Sequence, residues 1–314
     1  MDLKRYAVLV KQEVTYGTDP TPAISADEII FHGEPSFDCV TKPFERPVAL
    51  GYFGKLPALI IGEAYKLNGK CELTPSGVAG TPPRIGRILR AANCTETISA
   101  GVSVGYTPHS TFLGDSVAIY FWAGGTKHIL LGCVANVKWA KIAGEPIMLD
   151  VEFTGLYGGT IADAAFPTLV LESASPMIWT AANFKFNAVT TLICSKLDFD
   201  FGNVITARKD ANATVTPGIS RYYISDRAPK VSFDIEKEDL STLNPWTLHT
   251  AQTLCDLETK PTGSAGSKIE LLINDITLDA PKYGQDSNKL TWPLSGAPKV
   301  SLTTGNAAFS ITFK

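Results

Sequence analysis

Strict alternation of apolar and polar side chains over short runs is the feature that most constrains this chain. Leu149, Val151 and Phe153 interleave with Asp150, Glu152 and Thr154. The same pattern recurs in Leu197, Phe199 and Phe201 against Lys196, Asp198 and Asp200, and in Val231, Phe233 and Ile235 against Ser232, Asp234 and Glu236. Phe309, Ile311 and Phe313 repeat it near the C-terminus. Successive side chains on a strand point to opposite faces, so a period of two marks strands with one face buried and the other wet. A mainly β fold follows, with Asp150, Glu152, Asp198, Asp200, Asp234 and Glu236 on polar strand faces.

Two segments read as helices. In TPPRIGRILRAANC, Thr81 is placed to cap and Pro82 to occupy the first turn, with Ile85, Ile88, Leu89 and Ala92 forming an apolar face. In NPWTLHTAQTLC, Asn244 and Pro245 open the helix, and Leu248, Ala251, Leu254 and Cys255 fall on one side. The three arginines Arg84, Arg87 and Arg90 sit opposite the first apolar stripe. They suit a solvated face as well as a phosphate or acidic partner.

At 314 residues the chain is long for one core and suits two domains of about 150 residues. A repeat supports that division. GTKHILLGCVANV from Gly125 aligns without a gap on GSKIELLINDITL from Gly266, and the order strand, long loop, strand, helix, hairpin strands occurs twice. The expected architecture is therefore two tandem β-sandwich or barrel-type domains, each with one flanking helix. Residues 1–28 form an N-terminal arm, 29–157 the first domain, 158–182 a linker and 183–314 the second domain. Gly, Pro and Asp in TYGTDPTPAISADE make the arm read as extended chain lying on something else. TETISAGVSVGYTPHSTFLGDSVAIYFWAGG adds a hairpin to the first half alone.

Charge is nearly balanced in both halves, 14 basic against 15 acidic residues up to Thr160 and 14 against 16 after it, which excludes a nucleic-acid-binding domain by charge. No apolar run approaches the roughly 20 residues of a membrane span, and the N-terminus carries no secretory signal pattern. Six widely spaced cysteines without a C-x-x-C pair read as buried free thiols of a reducing cytoplasm.

No G-x-S-x-G, H-E-x-x-H, EF-hand, phosphate-loop or dinucleotide pattern occurs, and the four histidines lie in separate segments. No enzyme, metal or cofactor is expected. Asp198-x-Asp200-x-Gly202 resembles a calcium loop faintly, but alternating strand residues explain it. Five scattered tryptophans suit core packing better than a sugar platform, which leaves a carbohydrate-binding or adhesin module as a lesser alternative. Two long loops are more informative, because loops of such length are functional or poorly ordered. Thr41 to Ala58 carries Phe44, Tyr52, Phe53 and Leu56, apolar groups that call for protein contact, with Arg46 among them as a further contact residue. Gly202 to Arg221 is polar, with Arg208, Lys209 and Asp210.

The segment EVTYGTDPTP, from Glu13 to Pro22, resembles the start of tail tube proteins of long-tailed bacteriophages. The resemblance implies a structural virion protein of the tail, made in the host bacterial cytoplasm. In that family subunit sheets join edge to edge into a ring, and rings stack into a tube that conducts the genome. It implies that the Thr41 to Ala58 loop, and by the repeat Gly202 to Arg221, reach the adjacent ring, and that Tyr16 and Asp19 touch a neighbouring subunit. Two domains per chain would give three chains per ring with pseudo-sixfold symmetry. The chain's partners would be itself, other tail proteins at the tube ends, and DNA only in passage. Some of the six strand carboxylates would line the lumen. A tail completion or baseplate hub protein is the alternative within the same assembly.

Overall fold

A computed structural model describes residues 5–48, 51, 54–159, 161–170, 174–213, 218–286, 288–299 and 306–314. The first half contains β1 (Tyr6–Gln12), β2 (Phe31–Phe44), β3 (Leu59–Glu72), α1 (Gly86–Ala91), β4 (Cys94–Ser99), β5 (Ser103–Pro108), β6 (Val117–Ala123), β7 (Thr126–Ile142), β8 (Met148–Tyr157) and β9 (Ala162–Asp163). The second contains β10 (Lys185–Phe186), β11 (Cys194–Asp200), β12 (Asn203–Lys209), β13 (Ile219–Arg227), β14 (Lys230–Glu236), α2 (Pro245–Thr250), β15 (Cys255–Thr259), β16 (Ile269–Leu278), β17 (Gly284–Asp286), β18 (Lys289–Pro298) and β19 (Phe309–Phe313).

The alternating runs are strands, as their period requires. Leu149, Val151, Phe153, Leu197, Phe199, Val231, Phe233 and Ile235 are all buried. They do not, however, build two tandem sandwiches or barrels. Among the described residues seventeen strands form one interconnected sheet, and β12 and β13 stand apart as a two-stranded sheet. Two seams join the halves. Lys138–Ile142 of β7 pairs antiparallel with Lys196–Asp200 of β11, and β5 pairs with β19. One core cluster runs through both, with Phe309 of β19 packed on Phe199 and Phe201 at ring distances of 5.0 and 4.6 Å.

The repeat seen in the sequence corresponds to a recurring pairing order, β2–β3–β8–β7 and β11–β14–β18–β16. This order falls short of duplicated tandem domains, because sheet and core are shared. The described strands close no barrel. The inference of three chains per ring loses its basis with the duplication. Local alternation identifies strands, but it carries no record of which edge meets which.

What the N-terminal segment lies on is its own chain. Tyr6–Gln12 pairs with β6 along its whole length, and Val8 and Val10 are core residues. In the expected linker Met177 and Trp179 are hydrogen-bonded to the backbone of Leu73, Ile147, Gly144 and Glu145 in the first half, and Ala181 and Ala182 accept from Thr262 and Lys260 in the second.

Helix grammar succeeds once. The Asn244 side chain accepts from the Thr247 N–H, with Pro245 in the first turn. Leu254, by contrast, is exposed, and Cys255 already belongs to β15. Thr81 caps nothing. Pro82 and Pro83 lead into a tight turn closed by Gly86 N–H on the Pro83 carbonyl, and α1 begins at Gly86. Its apolar face is as expected, with Ile85, Ile88, Leu89 and Ala92 buried. Arg84, Arg87 and Arg90 are not a free solvated stripe, for they bind Glu28, Asp27 and Asp115 at 3.0, 3.1 and 3.0 Å.

At the β7–β11 seam one cation is enclosed. Lys141 points into the core, where its Nζ donates to Thr259 Oγ1 at 3.2 Å and lies 5.0 Å from the Trp139 ring. Burial lowers its pKa from 10.5 to about 7, against a weaker opposing pull from Cys194.

Candidate functional site

The six strand carboxylates come together. β2, β3, β8, β7, β11, β14 and β18 lie side by side, and their polar residues share one face across both halves. Along one row, directly opposed residues read Lys70, Asp150, Lys138, Asp200 and Lys230, with the charge alternating over five adjacent strands. Neighbouring rows hold Asn68, Glu152 and Asn136, then Lys196 opposite Asp234, and Glu236 opposite Thr291. Two troughs open on this face, of about 540 and 490 Å³, both bordered by Lys138 and Asp150.

Asp150, Glu152, Asp198, Asp200 and Glu236 meet lysines on this face. The pairs are Lys66–Glu152 at 2.6 Å, Lys70–Asp150 at 3.5 Å, Lys138–Asp200 at 3.3 Å, Lys196–Asp198 at 2.6 Å and Lys289–Glu236 at 2.5 Å. The hydrogen bond from Lys196 to Asp198 raises the lysine's pKa, and partial burial raises that of Asp234. Each such half-exposed pair contributes only about 0–1 kcal/mol. The larger effect is on register, since slipping one strand by a residue would drive its charges into the core. The face is therefore nearly neutral rather than acidic. Of these lysines only Lys196 stood out in the sequence pattern, although Lys66, Asn68 and Lys70 obey the same period of two.

The face ends at β2. Strand pairing engages one side of β2 with β3 and leaves the other side open among the described residues. Pro35 and Pro43 suit an edge, since a proline cannot donate to a second neighbour. β3 joins β8 only from Tyr65 onward, so Thr41–Phe44 and Leu59–Glu63 continue past the sheet as a two-stranded projection. Its apolar residues are in solvent, with Phe44 54%, Leu59 52% and Ile60 60% exposed. Burying the rest of each is worth about 1 kcal/mol. Arg46 is exposed and Leu56 half-buried, whereas Tyr52 and Phe53 lie outside the described residues. Leu59 and Ile60 were not singled out in the sequence, though they sit in its apolar run from Ala58 to Ile61.

The second long loop behaves differently. Gly202 to Arg221 contributes to a hairpin, β12–β13, that lies back on β7 and β8. Tyr222 and Ile224 are buried against Val134 and Leu156, and Tyr222 Oη donates to the Glu63 carbonyl at 3.0 Å. Arg208 and Lys209 are exposed and Asp210 is half-buried.

Tyr16 and Asp19 belong to a strap that binds its own chain. Glu13, buried, accepts from Gly132 N at 2.7 Å, Gly17 N at 2.8 Å and Ser116 Oγ at 2.6 Å. Burial raises its pKa despite these three donors. Gly132 sits in a β7 bulge at φ +61, and a Cβ there would strike the Tyr16 ring. The Tyr16 hydroxyl accepts from Tyr222 N at 2.8 Å, with Arg221 over its ring, and Asp19 accepts from Tyr120 Oη at 2.5 Å.

The four histidines lie in separate places. His109 and His249 bond Thr111 and the Leu278 carbonyl, and His128 packs between Phe37 and Phe121. Among the described residues no group of three or more His, Cys, Asp or Glu side chains could hold a metal ion. Among the described residues no helix is long and apolar enough to cross a membrane. Trp122, Trp139, Trp179 and Trp292 are buried, and Trp246 packs tilted against Tyr283 and edge-on to Trp292, so the tryptophans form no open sugar platform. Against known families and curated proteins the sequence finds no match.

Proposed function

We propose that this chain is a structural protein that polymerises into stacked rings to form the tail tube of a long-tailed bacteriophage, through which the genome passes. The observation that carries this reading is the β2–β3 projection, with apolar side chains in solvent beside an open strand edge. Such an edge invites a further strand, and a ring of copies would leave none exposed. The resemblance of Glu13 to Pro22 to the start of tail tube proteins agrees with it.

The polar face spanning both halves is the proposed lumen wall. Tight binding of DNA requires cations that exchange counterions for phosphates. Here lysines and carboxylates alternate, so a passing phosphate backbone meets cations already engaged. The wall would conduct by offering no net attraction, without the acidic repulsion that its carboxylates alone suggest.

Electron microscopy of purified protein in negative stain tests the reading. Tubes of uniform width with a regular ring repeat are expected, and the mass of one ring gives the number of chains. A finite ring that never stacks would move the protein to the tail completion or hub role. Monomers at all concentrations would end the assembly reading.

A further inference from the structure

The strands run between two ends of the sheet, and the end opposite the projection also shows apolar groups. β3 carries the projection at its N-terminal end and meets the start of β8 at Glu72–Met148. From that point the far end follows strand by strand. It includes the β7–β8 turn, where Ile142 lies and Pro146 bridges Ile178, then the start of β11 after Ile193, the end of β14 and the start of β18 at Leu290. The Ile193 carbonyl accepts from Glu236 N, and the Leu290 carbonyl from Lys237 N, which ties the neighbours together. Ile142, Ile178, Ile193 and Leu290 are each between 43% and 54% exposed.

The two ends also differ in charge. On the projection and its loop the cations Lys42, Arg46 and Lys55 outnumber Glu45 and Glu63. At the far end Lys289 is matched by Glu236, and Glu145, Glu238 and Asp239 outnumber Lys237 and Lys282. A basic apolar tip and an acidic apolar end, at opposite ends of strands roughly 45 Å long, complement one another in a second copy but not within one. Such a contact is heterologous, so it propagates instead of closing on itself.

Resting on the assembly reading above, we propose that the end bearing Ile142, Ile178, Ile193 and Leu290 is the acceptor for the β2–β3 projection of the next copy along the tube. The acidic rim of that end orients the basic tip, and the isoleucines cover Phe44, Leu59 and Ile60.

A mixing experiment tests it. One variant carries Ile178→Asp and Ile193→Asp, with its tip intact. The other carries Phe44→Asp and Ile60→Asp, with its acceptor intact. All four sites are exposed, and circular dichroism checks that both variants keep the fold. A milder charge-reversed acceptor, Glu145→Lys with Asp239→Lys, serves if the first acceptor variant does not fold. Each variant alone should need at least ten-fold more protein to polymerise than the wild type. Mixed in equal amounts, the two should form complexes one junction long and no further. An acceptor variant that polymerises like the wild type, while the tip variant does not, overturns the acceptor assignment and leaves the assembly reading standing. A wild type that never polymerises overturns both.

Discussion

Two long hairpins of this chain have opposite fates. β2–β3 extends past the sheet and leaves Phe44, Leu59 and Ile60 in water, while β12–β13 folds back and buries Tyr222 and Ile224 on β7 and β8. Both follow the same sequence logic of strand, long loop and strand. Their difference lies in where apolar residues fall. In β13 burial alternates, with Tyr222 and Ile224 turned inward and Tyr223 half-buried between them, so one face lies on the sheet, and the Tyr16 strap holds it there. In the projection Leu59, Ile60 and Ile61 run consecutively, so both faces are apolar and its own chain cannot cover them.

The comparison breaks most sharply under charge at the tip. Phe44→Asp with Ile60→Asp should abolish polymerisation in a sedimentation assay while shifting unfolding free energy by less than about 0.5 kcal/mol each, as exposed substitutions do. Loss of stability instead would place the tip in the core of the chain. Tyr222→Ala in the folded-back hairpin should show the reverse, costing about 2–4 kcal/mol in denaturant titration because a large buried group is removed. If it is neutral, the hairpin is not held as described.

Lys141→Met separates stability from assembly altogether. The folded pKa of about 7 lies below the ordinary 10.5, so the folded state binds this proton more weakly than the unfolded chain. Stability should therefore fall as pH drops from about 10.5 to about 7 and level off below. The substitution should raise stability at pH 7 by about 1–3 kcal/mol, after the loss of the Thr259 bond, and flatten that slope. Polymerisation should stay as it was. The smallest effect is expected for Tyr16→Phe, which removes the acceptor for Tyr222 N–H and should cost about 1 kcal/mol by thermal or chemical unfolding.

The period of two let the sequence place all six carboxylates on polar faces, since alternation is a property of adjacent residues. It could not place them on one face of one sheet, because that depends on β7 meeting β11, residues far apart in the chain. Phe44 stood out in its loop as an apolar residue, and it is exposed, yet the free edge of β2 was not legible. Asn244 announced its helix through a cap three residues from its partner, whereas Pro82–Pro83 after Thr81 turned the chain before a helix could start. The fate of β12–β13 turned on Tyr16, some two hundred residues away, which no local pattern reports.

The seam between β7 and β11 has a mechanical consequence. Its five opposed residue pairs, Lys138–Ile142 with Lys196–Asp200, run along the strands, from the projecting end of the sheet toward the other. Tension applied between those ends would load the seam in shear, so its hydrogen bonds resist together instead of unzipping one by one. A filament of such chains would stretch little before it broke, and its weak links would lie between copies.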